Sequence, residues 1–430
     1  MKCLDISADR LINELLARSG RGVSILDSCG VGHLGSHLMI AGIDPVDVMQ
    51  ISNDDPQKSL SEFQAALECG LAAVFTISYD FGRTFGLSVS SFRGGSAEPD
   101  IYVALYDALI VHDYDSKETF LTGNAERFDV AELITETTRD EFDDTVAIGG
   151  YDSNFTFDEY INAVETIKEY IRRGDTYQTN LTMQLSVDLH ERMTPQRIFE
   201  RLRRDHPAPF AAFIDRGDSH VVSASPERFF HMAKGKISAS PIKGTRPQGA
   251  DARENIRLQK ELLDSEKDRA ENTMIVDLLR NDLGRVCEFA SVEVTKLCDL
   301  EVHPTLCHLV STIEGKLKDE IKFVDVLQAL FPCGSITGAP KIRTMQIIDE
   351  LEPNRRGLSM GAIGYFVPET GFEGLEPGFD LSVAIRTMVI RDGVATFNVG
   401  GGITIDSDPQ SEYDESLLKA KAVLHALGNK

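Results

Sequence analysis

The sequence is short of positive charge. Against 44 lysines and arginines stand 68 aspartates and glutamates, a formal net charge of −24. A nucleic-acid partner asks for a basic stripe to neutralise phosphates, and an anionic membrane surface asks for the same, so neither is expected. No apolar run approaches the ~18 residues that a bilayer span needs. The opening Met1-Lys2-Cys3-Leu4-Asp5 lacks the basic-then-apolar layout of a signal peptide. The cysteines (Cys3, Cys29, Cys69, Cys287, Cys298, Cys307 and Cys333) include no Cys-x-x-Cys pair. Reduced thiols in a cytosolic protein are the expectation. The Gly-x-x-x-x-Gly-Lys-Ser/Thr phosphate loop is missing, so nothing speaks for ATP.

What is present reads as a folded protein: 42% of residues are hydrophobic and 26% charged across 430 positions. At ~150 residues per domain the length suggests three domains, with two large intertwined ones equally admissible. A region over residues 1–145 holds short strand-like runs, Val23–Leu26, Ala72–Ser78 and Ile101–Val111. The acidic stretch Glu132–Asp144 with Gly149-Gly150 reads as a solvated connection. A second region, 150–430, carries stronger patterning. Phe157–Arg173 has helical apolar spacing and stops at Gly174; Asn255–Leu283 is a long helical pattern; Ser411–Leu427 is a helix announced by Asp408-Pro409. Gln178–Val187 alternates like a strand, and Ala211–Ile214, His220–Ser223, Lys236–Ala239 and Val394–Val399 also read as strands. Without strict βα alternation, α+β is the expected class.

Gly30-Val31-Gly32-His33-Leu34-Gly35 matches G-x-G-x-x-G. A dinucleotide site would need a helix directly after it, and Gly42 and Pro45 leave no room for one. His33 and His37 have ligand-like spacing but no third partner nearby, so a metal there is not expected.

Two carboxylate pairs stand at helical spacing: Asp268 with Glu271, and Glu412 with Glu415, the latter followed by Lys419. Each pair is either a solvated helix face or a source of hard oxygen ligands for Mg²⁺. Lys243 lies in Pro241-Ile242-Lys243-Gly244-Thr245-Arg246-Pro247, a strand end running into a turn. It is a surface lysine or, with Arg246 as a neighbouring cation, a nucleophile. Glu227, in Ser225-Pro226-Glu227-Arg228-Phe229-Phe230, is either salt-bridged or a carboxylic acid kept protonated by apolar surroundings. Glycine turns at Phe331–Lys341, Met360–Tyr365 and Val399–Gly402 are tight turns or backbone cradles for an anion. Arg386 is a charge in an apolar strand, and such an arginine is either paired or reaches an anion.

Taken together, GDTYQTNL, SASPERF, PIKGTRP, SEKDRAENTMIVDLLRNDLGRV, GSITGAPK, GAIGY, IRT and GGGITIDSDP resemble the chorismate-utilising enzymes. That family includes anthranilate, aminodeoxychorismate, isochorismate and salicylate synthases. The resemblance runs from Ser153 to Lys421, and more loosely over Leu26-Asp27-Ser28 and Ser78–Gly82. It implies two intertwined α/β subdomains, with facing antiparallel sheets, helices outside and the site between. Gln178 falls where the isochorismate and salicylate enzymes carry a water-activating lysine, so hydroxyl transfer is disfavoured. Lys243 falls where anthranilate synthases usually have alanine. The resemblance therefore implies amination of chorismate at C4, in folate-precursor synthesis. The alternatives are anthranilate formation with release of pyruvate, or a non-catalytic metabolite-binding subunit.

The implied roles follow residue by residue. Glu227 protonates the departing C4 hydroxyl and Lys243 attacks C2. Glu271 and Glu415 bind Mg²⁺ directly, while Asp268 and Glu412 hold its waters. Gln178, Thr245, His308, Thr337, Tyr365, Arg386, Gly400, Gly401, Gly402 and Lys419 meet the substrate. Leu26, Asp27, Ser28, Pro207, Ala208 and Pro209 fall at a tryptophan pocket. No Gly-x-Cys-x-Gly nucleophile turn is present, so a glutaminase partner is expected to supply ammonia. Cys333 for glycine, Ser359 for an aromatic, and His303–Cys307 depart from the family pattern.

Overall fold

The computed structural model describes residues 2–32, 37–85, 98–127, 150–302 and 306–428. The acidic stretch 132–144, His33 and His303-Pro304-Thr305 lie outside them. Within these residues, two antiparallel sheets of twelve and ten strands carry the fold. The first runs from Lys2–Leu4 through Ser24–Asp27, Phe210–Asp215, His220–Ser225, Thr387–Arg391 and Val394–Ile403 to Gln178–Asp188 and Gly338–Ala339. The second runs from Ile242–Pro247 through Leu306–Lys316, Arg228–Ala233, Gly378–Val383, Ala362–Val367 and Ala72–Ile77 to Asp47–Ile51. The class is α+β with facing antiparallel sheets, as the resemblance implies.

The N-terminal region feeds both sheets. Ser24–Asp27 pairs with Phe210–Asp215 in the first, and Ala72–Ile77 with Ala362–Val367 in the second. Ile101–Val111 is not one strand but two, Ile101–Tyr106 in the second sheet and Ala108–Asp113 in the first. The apolar run continues because both strands are buried, so periodicity alone hides the crossing at Asp107. The glycine-rich loop after Asp27 leads to strand Leu38–Gly42, which pairs antiparallel with Ser24–Asp27. That hairpin leaves no βαβ unit for a dinucleotide.

Helices cover the outer faces. Phe157–Arg172 starts at a capping box, with Thr156 and Glu159 each satisfying the other's backbone. The Asn255–Leu283 pattern divides into Ala252–Asp264 and Glu266–Val286. Ser265 ends the first in an extended conformation, and its hydroxyl caps the second by accepting from the Asp268 N–H at 3.2 Å. No helix among the described residues is long and apolar enough to cross a membrane.

One buried ion pair joins several of these parts. Arg356 donates to both oxygens of Glu352, at 2.9 and 2.7 Å, and lies over the Tyr79 ring. Its remaining donors reach the carbonyls of Ile336 and Asn180, at 2.9 and 2.8 Å. Glu352 accepts in turn from the Thr182 N–H and hydroxyl. Removing the guanidinium would leave Glu352 buried and unpaired. Arg356→Met should therefore cost about 3–5 kcal/mol, read from a chemical-denaturation midpoint; a loss within experimental error would contradict this account.

Candidate active site

Two of the places where the chain changes sheet are bonded to each other. Between His220–Ser225 and Arg228–Ala233 it passes through Glu227; between Gly378–Val383 and Thr387–Arg391 it passes through Arg386. The Val383 N–H donates to the Glu227 carbonyl at 3.0 Å, and the Ala224 N–H to the Arg386 carbonyl at 3.1 Å. The Ser225 hydroxyl closes the junction on the Val383 carbonyl at 2.6 Å.

Glu227 is buried, and its Oε1 has no hydrogen-bond partner. Burial pushes its carboxyl above the ordinary range, while a hydrogen bond from Ser335 and the charge of Lys243 pull part of the way back. Such a group is suited to giving up a proton rather than holding a charge. Lys243 reaches across from strand Ile242–Pro247, its Nζ 3.5 Å from the Ser335 carbonyl. The strand bulges at Gly244, whose φ of 72° lies in the left-handed region. A Cβ there would come within 2.9 Å of Asp268, so the strand can press onto the helix only with glycine.

Arg246 does not stand beside Lys243 as a second cation. It is paired with Glu261 at 2.9 Å and Asp268 at 3.3 Å, because strand geometry turns it toward the helices. Lys243 faces carboxylates instead: its charge acts on Glu227, Glu271 and Glu415.

The two carboxylate pairs converge. Burial raises Glu271, Lys243 and Lys267 oppose this, and Asp268 and Glu412 add to it. Glu415 would also be raised by burial, but Lys419, Lys267 and Lys243 outweigh that and hold it low. Lys419 sits 2.8 Å from Glu415 and donates to the Gly400 carbonyl at 3.0 Å. Glu412 accepts from Ser407 at 2.7 Å. Among the described residues, no three His, Cys, Asp or Glu side chains stand close enough to hold a metal as they are. The donors are all carboxylate oxygens, the chemistry a hard cation such as Mg²⁺ takes.

Gln178 lies on the Gln178–Asp188 strand with both amide atoms buried and unpartnered. The neighbouring Gly402 makes room for it: a Cβ there would fall 1.9 Å from Gln178 Nε2. Gly401 stands against Glu412 and Lys419. Thr337 spends its hydroxyl proton on the Cys333 carbonyl at 2.9 Å. Thr245 and His308 meet each other at 2.9 Å. Arg386 is half-buried in a left-handed conformation, φ 49°, with no carboxylate against it among the described residues. Burial lowers its pKa, the situation of a guanidinium without its anion.

Tyr365 is elsewhere. It lines a second cavity of about 40 Å³ with Leu26, Asp27, Ser28, Pro209, Asp380 and Ser382. Its strand alternates, and this residue falls on the face turned to the first sheet, opposite Asp380. This cavity has room for water. The Asp27 carboxylate is already taken by Arg203 at 2.7 Å and the Tyr114 hydroxyl at 2.7 Å. Pro207 is exposed, while Ala208 is buried. A larger cavity of about 480 Å³, with Gln184, Ser359, Thr387 and Asn398 in its lining, has neither Glu227 nor Lys243 in its wall.

Residues 26–425 match the family model described as chorismate binding enzyme. The chain belongs to that family. Aminodeoxychorismate synthase component 1 of Bacillus subtilis is 34% identical over 96% of this chain and 93% of its own length. The protein of the same name from Salmonella typhimurium is 40% identical over 83% of this chain and 77% of its own. The crystal structure of anthranilate synthase component I from Streptococcus pneumoniae superposes with a TM-score of 0.78, at 28% identity, covering 91% of this chain and 93% of that one.

Two residues near the candidate site escape a reading of the sequence. Asn180, with its Oδ1 unpartnered, shares a strand face with Gln178, and the period of two could have found it. Ser335 carries no such signal; it is one residue of a glycine-rich turn until the fold brings Glu227 to it. Gly400 offers a direct test. A Cβ there would lie 2.0 Å from the Leu181 carbonyl oxygen, a backbone atom that cannot step aside. Gly400→Ala should lower stability by about 1–3 kcal/mol, measured by thermal unfolding; an unchanged melting point would refute the close approach.

Proposed function

We propose that this chain aminates chorismate at C4, yielding 4-amino-4-deoxychorismate for 4-aminobenzoate and folate synthesis. The observation that carries the reading is Glu227, buried with its Oε1 unpartnered and its pKa raised by burial, with the charge of Lys243 acting on it. The Lys243 amine attacks C2 and forms a C–N bond. The ring electrons shift, and the C4 hydroxyl leaves as water with the proton of Glu227. Ammonia then adds at C4, the electrons return, and the C2–N bond breaks to free the lysine. Arg386 and the Gly400–Gly402 backbone receive the substrate carboxylates.

Glu271 and Glu415 would hold Mg²⁺, with Asp268 and Glu412 acting through its waters. Bound there, the ion would neutralise a substrate carboxylate. The component 1 relatives support a second subunit, and we infer that it is a glutaminase supplying ammonia. Seven free cysteines favour a reducing compartment, the cytosol. A second reading, anthranilate synthesis, draws on the likeness to the Streptococcus pneumoniae structure.

The product separates the two. Incubation with chorismate, Mg²⁺ and ammonium should give 4-amino-4-deoxychorismate; anthranilate with pyruvate as sole products would establish the second reading instead. Lys243→Ala should abolish a covalent chorismate adduct seen by intact mass. An adduct that persists in the variant removes the lysine from its nucleophilic role, whatever the residual turnover.

A further inference from the structure

One face of the first sheet carries more than the candidate site. Strands Gln178–Asp188 and Val394–Ile403 pair Asn180 with Gly402, Thr182 with Gly400 and Gln184 with Asn398, so these residues share that face. The candidate site lies at the glycine end. At the other end Gln184, Thr396 and Asn398 line the cavity of about 480 Å³, a volume typical of small-molecule sites. Arg83 and residues of the segment 349–359 supply further wall.

The charge of this wall is opposite to that of the chain. Four arginines line it: Arg83, Arg355, Arg356 and Arg391. Only three carboxylates stand against them, and each is already paired: Asp349 with Arg83, Glu352 with Arg356, and Glu98 with Arg216, which is outside the lining. An incoming anion therefore meets neutralised acids and a positive excess, in a protein whose net charge is −24. Leu358, Val389 and Val394 give the cavity an apolar part as well. Guanidinium groups beside apolar wall suit a carboxylate carried on an apolar body.

The cavity also touches the frame of the candidate site. Glu352 and Arg356 belong to its lining; Glu352 accepts from Thr182, and Arg356 donates to the Ile336 and Asn180 carbonyls. Asn398 adds a second link, its amide donating to the Thr182 hydroxyl at 3.1 Å while its Oδ1 accepts from Gln184 at 3.4 Å. We propose that this cavity binds a small organic carboxylate, and that binding there lowers turnover at the candidate site. The anion competes with Glu352 for the Arg356 guanidinium, and each donor it draws away slackens the hold on Ile336 or Asn180. The cavity does not depend on which product the enzyme makes; only one of the two probes below rests on the C4-amination reading.

The probes are benzoate, the plain carboxylate on an apolar body, and 4-aminobenzoate, which on the C4 reading lies downstream of the product. Calorimetry on the whole chain should show one site. Val394→Trp, which fills the cavity, and Arg391→Gln, which removes a cation from it, should each weaken binding at least ~10-fold. Neither residue takes part in the chemistry, so basal chorismate consumption with Mg²⁺ and ammonium should be unchanged in both. In the wild-type chain a saturating probe should lower kcat for chorismate consumption by about 5-fold or more, with KM unchanged. Should Val394→Trp not fold, Arg391→Gln carries the same expectation. Absence of binding by both probes overturns the proposal. Binding that the variants leave intact, or that chorismate displaces, also overturns it, because the probe then sits elsewhere. Inorganic phosphate binding as tightly as the probes overturns the carboxylate class, and binding with unchanged turnover overturns the coupling. If the chain consumes chorismate without forming 4-amino-4-deoxychorismate, the C4 reading fails and the benzoate result alone decides the cavity.

Discussion

Arg356 and Glu352 form the constraint on which the candidate site depends. Both are buried, and neither charge is tolerable there without the other. Burial alone would weaken the basicity of Arg356, but the Glu352 carboxylate outweighs it and keeps the pair ionic. The guanidinium then has donors left for two backbone carbonyls, Ile336 in the turn Gly334–Ile336 and Asn180 on the neighbouring strand. Glu352 has an oxygen left for Thr182 on that strand. One pair thus fixes the distance between the turn bearing Ser335 and the strand bearing Gln178. A hydrophobic replacement of equal volume could match its stability but not its directionality.

Around that frame several polar groups of the candidate site are short of partners. Gln178, Asn180 and Glu227 all present buried polar atoms with nothing to bond. In a core those would be defects. Buried polar atoms left open in this way are the expected lining of a site for a polar substrate. The acidic net charge, −24, gives no help in attracting a dianion such as chorismate. On the proposed reading the answer is local, through Arg386, Lys243, Lys419 and the Gly400–Gly402 backbone. Asp268, Glu271, Glu412 and Glu415 are the carboxylates that a divalent cation would convert from repulsion to attraction.

Much of this was legible in the order of residues. The helix Pro409–Ala426 begins at the signalled Asp408-Pro409, and Lys236–Ala239 is the strand its alternation describes. Lys243, Glu227 and the two carboxylate pairs were visible as residues of the right chemistry at the right spacing. Tyr365 shows the limit. Its motif placed it with the substrate, whereas strand parity turned it to the cavity beside Asp27. Arg246 shows another, since adjacency to Lys243 in sequence did not survive pairing with Glu261 and Asp268.

Sequence alone determined which groups are available: a lysine, a protonatable glutamate, four carboxylates and glycines where no side chain fits. Local rules of capping, alternation and turn chemistry also determined most helices and strands, because those depend on near neighbours. Tertiary structure decided which groups meet. Glu227 and Arg386 are 159 positions apart in number yet share one junction, because the chain changes sheet at both. Lys243 came to act on Glu227 only there. Contacts across two sheets are set by packing and buried charge, and no local spacing encodes them.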